Sequence, residues 1–176
     1  MATIDRIGYG QVEPNHLSAQ VTGQIYAQLP AAKAITMLEN GQFAKYDYEN
    51  KEVNFTGDGE WYLVYNEVRL YDPMKQGYKD FALIKTDFVG EEMTPRLYKI
   101  NIGDIYTTNT LEKAAVSNTG KTVGTEEISV GTLLAPDSTT GYLKVTTAGA
   151  TGMKLKVVKV YTMPDGQQGV KLQRIA

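Results

Sequence analysis

Leu38-Glu39-Asn40-Gly41-Gln42-Phe43-Ala44-Lys45-Tyr46-Asp47 opens a stretch that runs to Pro73 and has a partner 90 residues further on. The partner opens as Ile128-Ser129-Val130-Gly131-Thr132-Leu133-Leu134-Ala135-Pro136-Asp137 and runs to Met163. Without a gap, Gly41 falls on Gly131, Asp47 on Asp137, Thr56 on Thr146, Gly59 on Gly149, Val68 on Val158 and Tyr71 on Tyr161. Apolar positions keep step as well: Leu38 with Ile128, Phe43 with Leu133, Val53 with Leu143, Phe55 with Val145, Tyr65 with Leu155 and Leu70 with Val160. Self-similarity at a fixed spacing marks a repeated supersecondary unit. A shorter echo lies between the copies, since Ile100-Asn101-Ile102-Gly103-Asp104-Ile105-Tyr106 parallels Ile128-Ser129-Val130-Gly131-Thr132-Leu133-Leu134.

Inside each copy the local grammar is that of strands. Asn40-Gly41 is a turn dipeptide. Glu52-Val53-Asn54-Phe55-Thr56 alternates like a half-buried strand. Gly57-Asp58-Gly59 reads as a hairpin turn into the β-prone run Trp61–Leu70, which Asp72-Pro73 ends. Outward from the first copy come Phe81–Ile84 and Leu97–Tyr106, separated by a loop at Glu91–Pro95; residues 113–125 read as an exposed loop or hinge. After the second copy, Asp165-Gly166 turns into a last strand, Gly169–Ile175. No segment sustains a helical period, so the predicted fold is mainly β: a small barrel or sandwich built from a duplicated meander. Residues 1–34, rich in Gln, Gly, Ala and Pro, read as an extended N-terminal arm, or else as a short helix over Ser18–Leu29, where Leu17, Val21, Ile25 and Leu29 recur every fourth residue. The expected units are therefore the arm 1–34, a first β unit with connecting strands 35–112, and a second β unit 113–176, the latter two together forming either two bodies or one.

The bulk properties suit a soluble globular chain of 176 residues, 42% apolar and 22% charged. No apolar run approaches the roughly 20 residues that span a bilayer, and Met1–Arg6 lacks a leader's apolar stretch. The expectation is a chain used without crossing a membrane. With no cysteine, disulfides, thiolate metal sites and cysteine nucleophiles are excluded. Twelve tyrosines beside four phenylalanines suit strand faces that are dry on one side and wet on the other. A net charge of −2 does not suit a general nucleic-acid binder. That charge is uneven: residues 1–112 hold 10 basic and 16 acidic side chains (−6), residues 113–176 hold 8 and 4 (+4).

Reactive constellations are scarce. His16 is the sole histidine and sits in the arm beside Pro14-Asn15, a poor place to hold catalytic geometry. Asp47, Glu49 and Glu52 cluster on a turn without the glycine-bearing ligand loop of a calcium site. Gly120-Lys121-Thr122 ends like a phosphate loop but lacks the upstream glycine and the preceding strand. Asn54-Phe55-Thr56 is a glycosylation sequon lying in a strand. Trp61, Tyr62 and Tyr65 could stack on a sugar, yet alternation places Trp61 and Tyr65 on one face and Tyr62 on the other, as core packing would. A hydrolase using two of the 20 acids has no positive signal. No cofactor or metal is expected.

The repeated phrase, an apolar residue, Gly, a polar residue and an apolar pair, resembles the small β-rich decoration or cement proteins on the heads of tailed bacteriophages. The opening Ile7-Gly8-Tyr9-Gly10-Gln11-Val12-Glu13-Pro14 is similar to the N-terminal arms such proteins lay across shell subunits. The resemblance implies a non-enzymatic virion protein made in the host cytoplasm and placed on the capsid exterior. Its partners would be major capsid protein subunits, often with homo-oligomerisation, without direct contact to nucleic acid or membrane. The residues expected to touch the capsid are those of the arm: Ile4, Ile7, Tyr9, Val12, Leu17, Val21, Ile25 and Tyr26. The alternative is another tail, neck, fibre or glycan-binding β module.

Overall fold

The computed structural model describes residues 2–18, 28–57, 59–66, 81–88, 90–116 and 121–176, with side chains for all of these except 2, 3, 113–116 and 121–127. The chain begins with β1 (Ala2–Ile7) and β2 (Val12–His16). The first copy supplies β3 (Met37–Glu39), β4 (Phe43–Asp47), β5 (Glu52–Asn54) and β6 (Tyr62–Val64). Next come β7 (Ala82–Ile84), a single 3-10 turn at Lys85–Asp87, β8 (Leu97–Tyr98) and β9 (Ile105–Thr108). Then follow β10 (Lys113–Val116), β11 (Lys121–Ile128), β12 (Leu133–Pro136), β13 (Leu143–Val145), β14 (Leu155–Thr162) and β15 (Gln168–Arg174). The fold is mainly β, as expected, and all its named strand pairs are antiparallel.

The two copies are built alike. One sheet has the order β5-β4-β6-β8, and the larger one contains β13-β12-β14-β15, continued by β9 and β2. Tyr46 pairs with Val53 and Lys45 with Asn54; 90 residues on, Pro136 pairs with Leu143 and Ala135 with Lys144. Each turn of the first pair is held by an aspartate: Asp47 Oδ1 accepts the Asn50 N–H at 2.9 Å, and Asp137 Oδ1 accepts the Thr139 and Thr140 N–H groups at 2.9 and 3.1 Å. Asp side chains stabilise turns in this way because they offer the backbone a local acceptor. The outer edge of each copy is covered identically, by a short parallel bridge between Ala31 and Val53 and between Leu111 and Leu143. Covered edges do not recruit stray strands.

Two expectations about the repeat change. β5 and β6 flank β4 on opposite sides, so Gly57 and Gly59 lie in a crossover over the end of β4, and the unit is not a simple meander. The equal spacing also ends there. Phe43 pairs with Leu63, whereas Leu133 pairs with Lys156, so the third strand of the second copy is displaced by three further residues. A crossover loop tolerates such a change because its length is not fixed by hairpin geometry. Tyr65 is therefore not the counterpart of Leu155. The matches at Val68, Leu70 and Tyr71, and the helix alternative over Ser18–Leu29, fall largely outside the described residues.

Residues 2–16 do not stand apart from the sheets. β1 pairs with β11, and β2 forms the edge of the six-stranded sheet against β9, where Pro14 is tolerated because an edge position need not donate on both sides. Residues 113–116 and 121–128 are likewise strand, where a loop or hinge was expected. The main core draws on both copies and on the N-terminal strands: Ile4, Val12 and Leu17 pack with Phe43 and Leu63 and with Leu134, Leu143, Leu155, Val157, Val170 and Leu172. A second core covers the other face of the β5-β4-β6-β8 sheet with Leu38, Ala44, Tyr46, Val53, Val64, Met93 and Leu97. Having both faces covered explains why Phe43 and Ala44, neighbours on β4, are both fully buried.

Candidate interaction surface

One turn recurs three times, and it sets the geometry of the exposed rim. In each, a side chain caps the backbone three residues earlier: Gln42 Oε1 accepts the Glu39 N–H at 2.6 Å, Asp104 Oδ2 the Asn101 N–H at 2.9 Å, and Thr132 Oγ1 the Ser129 N–H at 3.1 Å. The third residue is glycine with φ of 93°, 96° and 93° at Gly41, Gly103 and Gly131, a region that side chains disfavour. Each glycine N–H then donates to the neighbouring strand, to the carbonyls of Val64, Arg174 and Val157 respectively. The turns thus lock β4, β9 and β12 to the strands beside them. The short sequence echo at Ile100–Tyr106 is the second of the three.

The residue before the glycine differs in fate. Asn40 is buried and exchanges hydrogen bonds with the Asn66 backbone, while Thr110 Oγ1 donates to its carbonyl. Ile102 and Val130, at the same place in the other two turns, are 71% and 67% exposed. A single exposed apolar residue is ordinary, but two β-branched ones at the tips of equivalent turns form a repeated feature. The two turns flank the β14–β15 pair, one bonded to Val157 and the other to Arg174. Sequence reading placed both residues inside the repeated phrase; what it lacked was the turn position that turns them outward.

The expected arm contacts separate into three groups. Ile4, Val12 and Leu17 are buried in the main core, so in this structure they hold the body together and are not available to a partner. Ile7 and Tyr9 are exposed, at 37% and 38%. Val21, Ile25 and Tyr26 lie outside the described residues. Between the exposed and buried residues sits a buried ion pair: Arg6 Nη2 lies 2.7 Å from Glu39 Oε2, and both side chains are essentially inaccessible. Glu39 also accepts the Gly10 N–H at 2.7 Å and the hydroxyl of Tyr142. Burial, and then the Glu39 carboxylate beside it, drive the Tyr142 hydroxyl well above its ordinary pKa. This cluster fastens β1 to the first copy and the first copy to the second.

The groups weighed for chemistry are occupied structurally. Asp47 is held below the usual carboxylate range by the Asn50 N–H and side chain, and Asn54 also reaches it. Asn54, the sequon residue, donates to Asp47 and accepts from Thr56 and Gly57. Trp61 and Tyr65 pack on the main core and Tyr62 on the second, the division that alternation predicts. His16 is exposed at the end of β2. Among the described residues no three His, Asp or Glu side chains are grouped to hold a metal, and no helix is long and apolar enough to cross a membrane. Comparison with protein-family models, with curated proteins and with solved structures finds no match.

Proposed function

We propose that this chain is a non-enzymatic virion protein that binds the outer surface of an assembled phage head and stabilises contacts between its shell subunits. The observation that carries the reading is the pair of exposed apolar tips, Ile102 and Val130, presented by equivalent rigid turns on either side of one strand pair. A contact made through a tightly hydrogen-bonded turn loses little conformational freedom on binding. Repetition over a shell lattice then turns modest single contacts into high avidity. Ile7 and Tyr9 extend the same kind of surface near the N-terminus. On this reading the partner is the major capsid protein, the location is the virion exterior, and no cofactor is involved.

The test is co-sedimentation of the full chain with empty heads of the phage that encodes it. The wild type should pellet with the heads, and Ile102→Asp/Val130→Asp, which alters only exposed side chains, should remain in the supernatant while melting within a few degrees of the wild type. Failure of the wild type to pellet overturns the reading. Deleting the N-terminal segment is no substitute, because it removes Ile4, Arg6, Val12 and Leu17 from the interior.

A further inference from the structure

We infer that the outer face of the β14–β15 pair is a lysine surface built to dock on a carboxylate-rich protein face, and, resting on the function proposed above, that this face belongs to the shell subunits. Directly opposed residues of an antiparallel pair share a face. Lys159 stands opposite Lys171 and Lys156 opposite Gln173, while Val157 with Leu172 and Val160 with Val170 point to the core. Lys156 and Lys159 are exposed and Lys171 is half-buried. Like charges set opposite each other across a ladder are unfavourable, and here no carboxylate among the described residues lies within ion-pair distance of any of the three lysines.

Glu13 on β2 shares this face, since it stands opposite Thr107, which stands opposite Lys171. It accepts a hydrogen bond from the Tyr161 hydroxyl at 2.6 Å and keeps its charge, yet it lies beyond ion-pair distance of the three lysines. The Tyr161 ring in turn lies beneath both ammonium groups, 5.5 Å from Lys159 Nζ and 5.9 Å from Lys171 Nζ. An aromatic face shared by two cations positions them without neutralising them. By contrast, Lys144 is paired with Asp137 and Arg174 with Glu60, so the cations at the margins of the sheet are already answered. The three that are not answered lie on the strand pair flanked by the Ile102 and Val130 turns. Apolar tips beside a charged centre suit a protein surface that supplies acids opposite the lysines. The chain's overall net charge of −2 disfavours nucleic acid as the occupant.

The experiment compares the full-length wild type with Lys156→Glu/Lys159→Glu/Lys171→Glu for pelleting with empty heads at low and moderate salt. A parallel arm uses duplex DNA as the probe. The wild type is expected to bind heads, to weaken several-fold as salt screens the contact, and to leave DNA unbound. The triple variant is expected to bind at least tenfold more weakly, with little remaining salt dependence. Lys159→Gln alone, a milder change, should lie in between and serves if the triple variant misfolds. Equal binding by wild type and variants would overturn the lysine face while leaving the shell-binding function standing. No head binding by the wild type would overturn both, and DNA retention lost in the triple variant would reassign the face to nucleic acid.

Discussion

Replacing Arg6 by Met should be the most destabilising single change near the N-terminus, and a second substitution should reverse part of the damage. Arg6 and Glu39 are 2% and 0% exposed, and Arg6 Nε has no acceptor among the described residues. The pair is thus closed to water yet incompletely hydrogen-bonded, the situation in which desolvation offsets most of the Coulombic gain. Removing one partner strands the other. With Arg6→Met the Glu39 carboxylate keeps the Gly10 N–H and the Tyr142 hydroxyl but loses its counter-charge, at a cost of about 3–5 kcal/mol. For a chain of this size that corresponds to a fall in Tm of roughly 10 °C or more. Arg6→Met/Glu39→Gln removes both charges and retains an acceptor for Gly10 or Tyr142, so it should lie about 2 kcal/mol closer to the wild type than Arg6→Met does. Urea unfolding of the four proteins of this cycle reads the coupling directly. An Arg6→Met protein within about 1 kcal/mol of the wild type, or a double variant as unstable as the sum of its parts, would refute the reasoning.

The three equivalent turn glycines offer an internal control. Gly41→Ala, Gly103→Ala and Gly131→Ala all place a side chain at φ near 95°, which should cost about 1 kcal/mol each. Only at Gly41 would the new Cβ collide, 2.5 Å from Thr110 Oγ1 and 2.6 Å from Thr108 Oγ1, so Gly41→Ala should be worse by about a further 1–3 kcal/mol; equal effects in chemical denaturation would argue against the close approach of the first copy's turn to the end of β9. At Asp137, despite the opposing effect of partial burial, the Lys144 ammonium and the N–H groups of Thr139 and Thr140 hold the carboxyl below its ordinary range. A depressed folded pKa contributes stability above the unfolded value near 4 and loses it as pH falls through the folded one. Asp137→Asn, which keeps an acceptor for the turn, should therefore trail the wild type by about 1 kcal/mol at pH 6 and draw level as the pH falls below the carboxylate range, as followed by thermal melts; a gap that does not change with pH would show that the carboxylate is not the relevant group.

Much of the fold was legible because its rules are local. Alternation around Val53, the turn dipeptide Asn40-Gly41 and the polar turn that opens at Asp47 all act within a few residues, and each appears in the structure where the sequence placed it. The first strands were missed because their pairing is remote: β1 finds β11 and β2 finds β9 across some hundred residues, and a stretch holding Gly8, Gly10 and Pro14 carries little strand signal of its own. The crossover that holds Gly57 and Gly59 was misread for the same reason, since a turn sequence does not say on which side of β4 the next strand will pair. The proposed interaction surface was half visible. The basic excess of residues 113–176 stood in the composition, but its concentration on one face depends on the register that sets Lys159 opposite Lys171. Ile102 and Val130 stood in the repeated phrase, but their exposure follows only from the turn.

Cryo-electron microscopy of empty heads incubated with the full chain is the most direct measurement. The account predicts added density on the outer shell surface into which the β fold fits with the Ile102 and Val130 turns and the lysines of β14 and β15 against shell subunits. Heads that stay bare, or density in which those turns point to solvent while another face makes the contact, would contradict it.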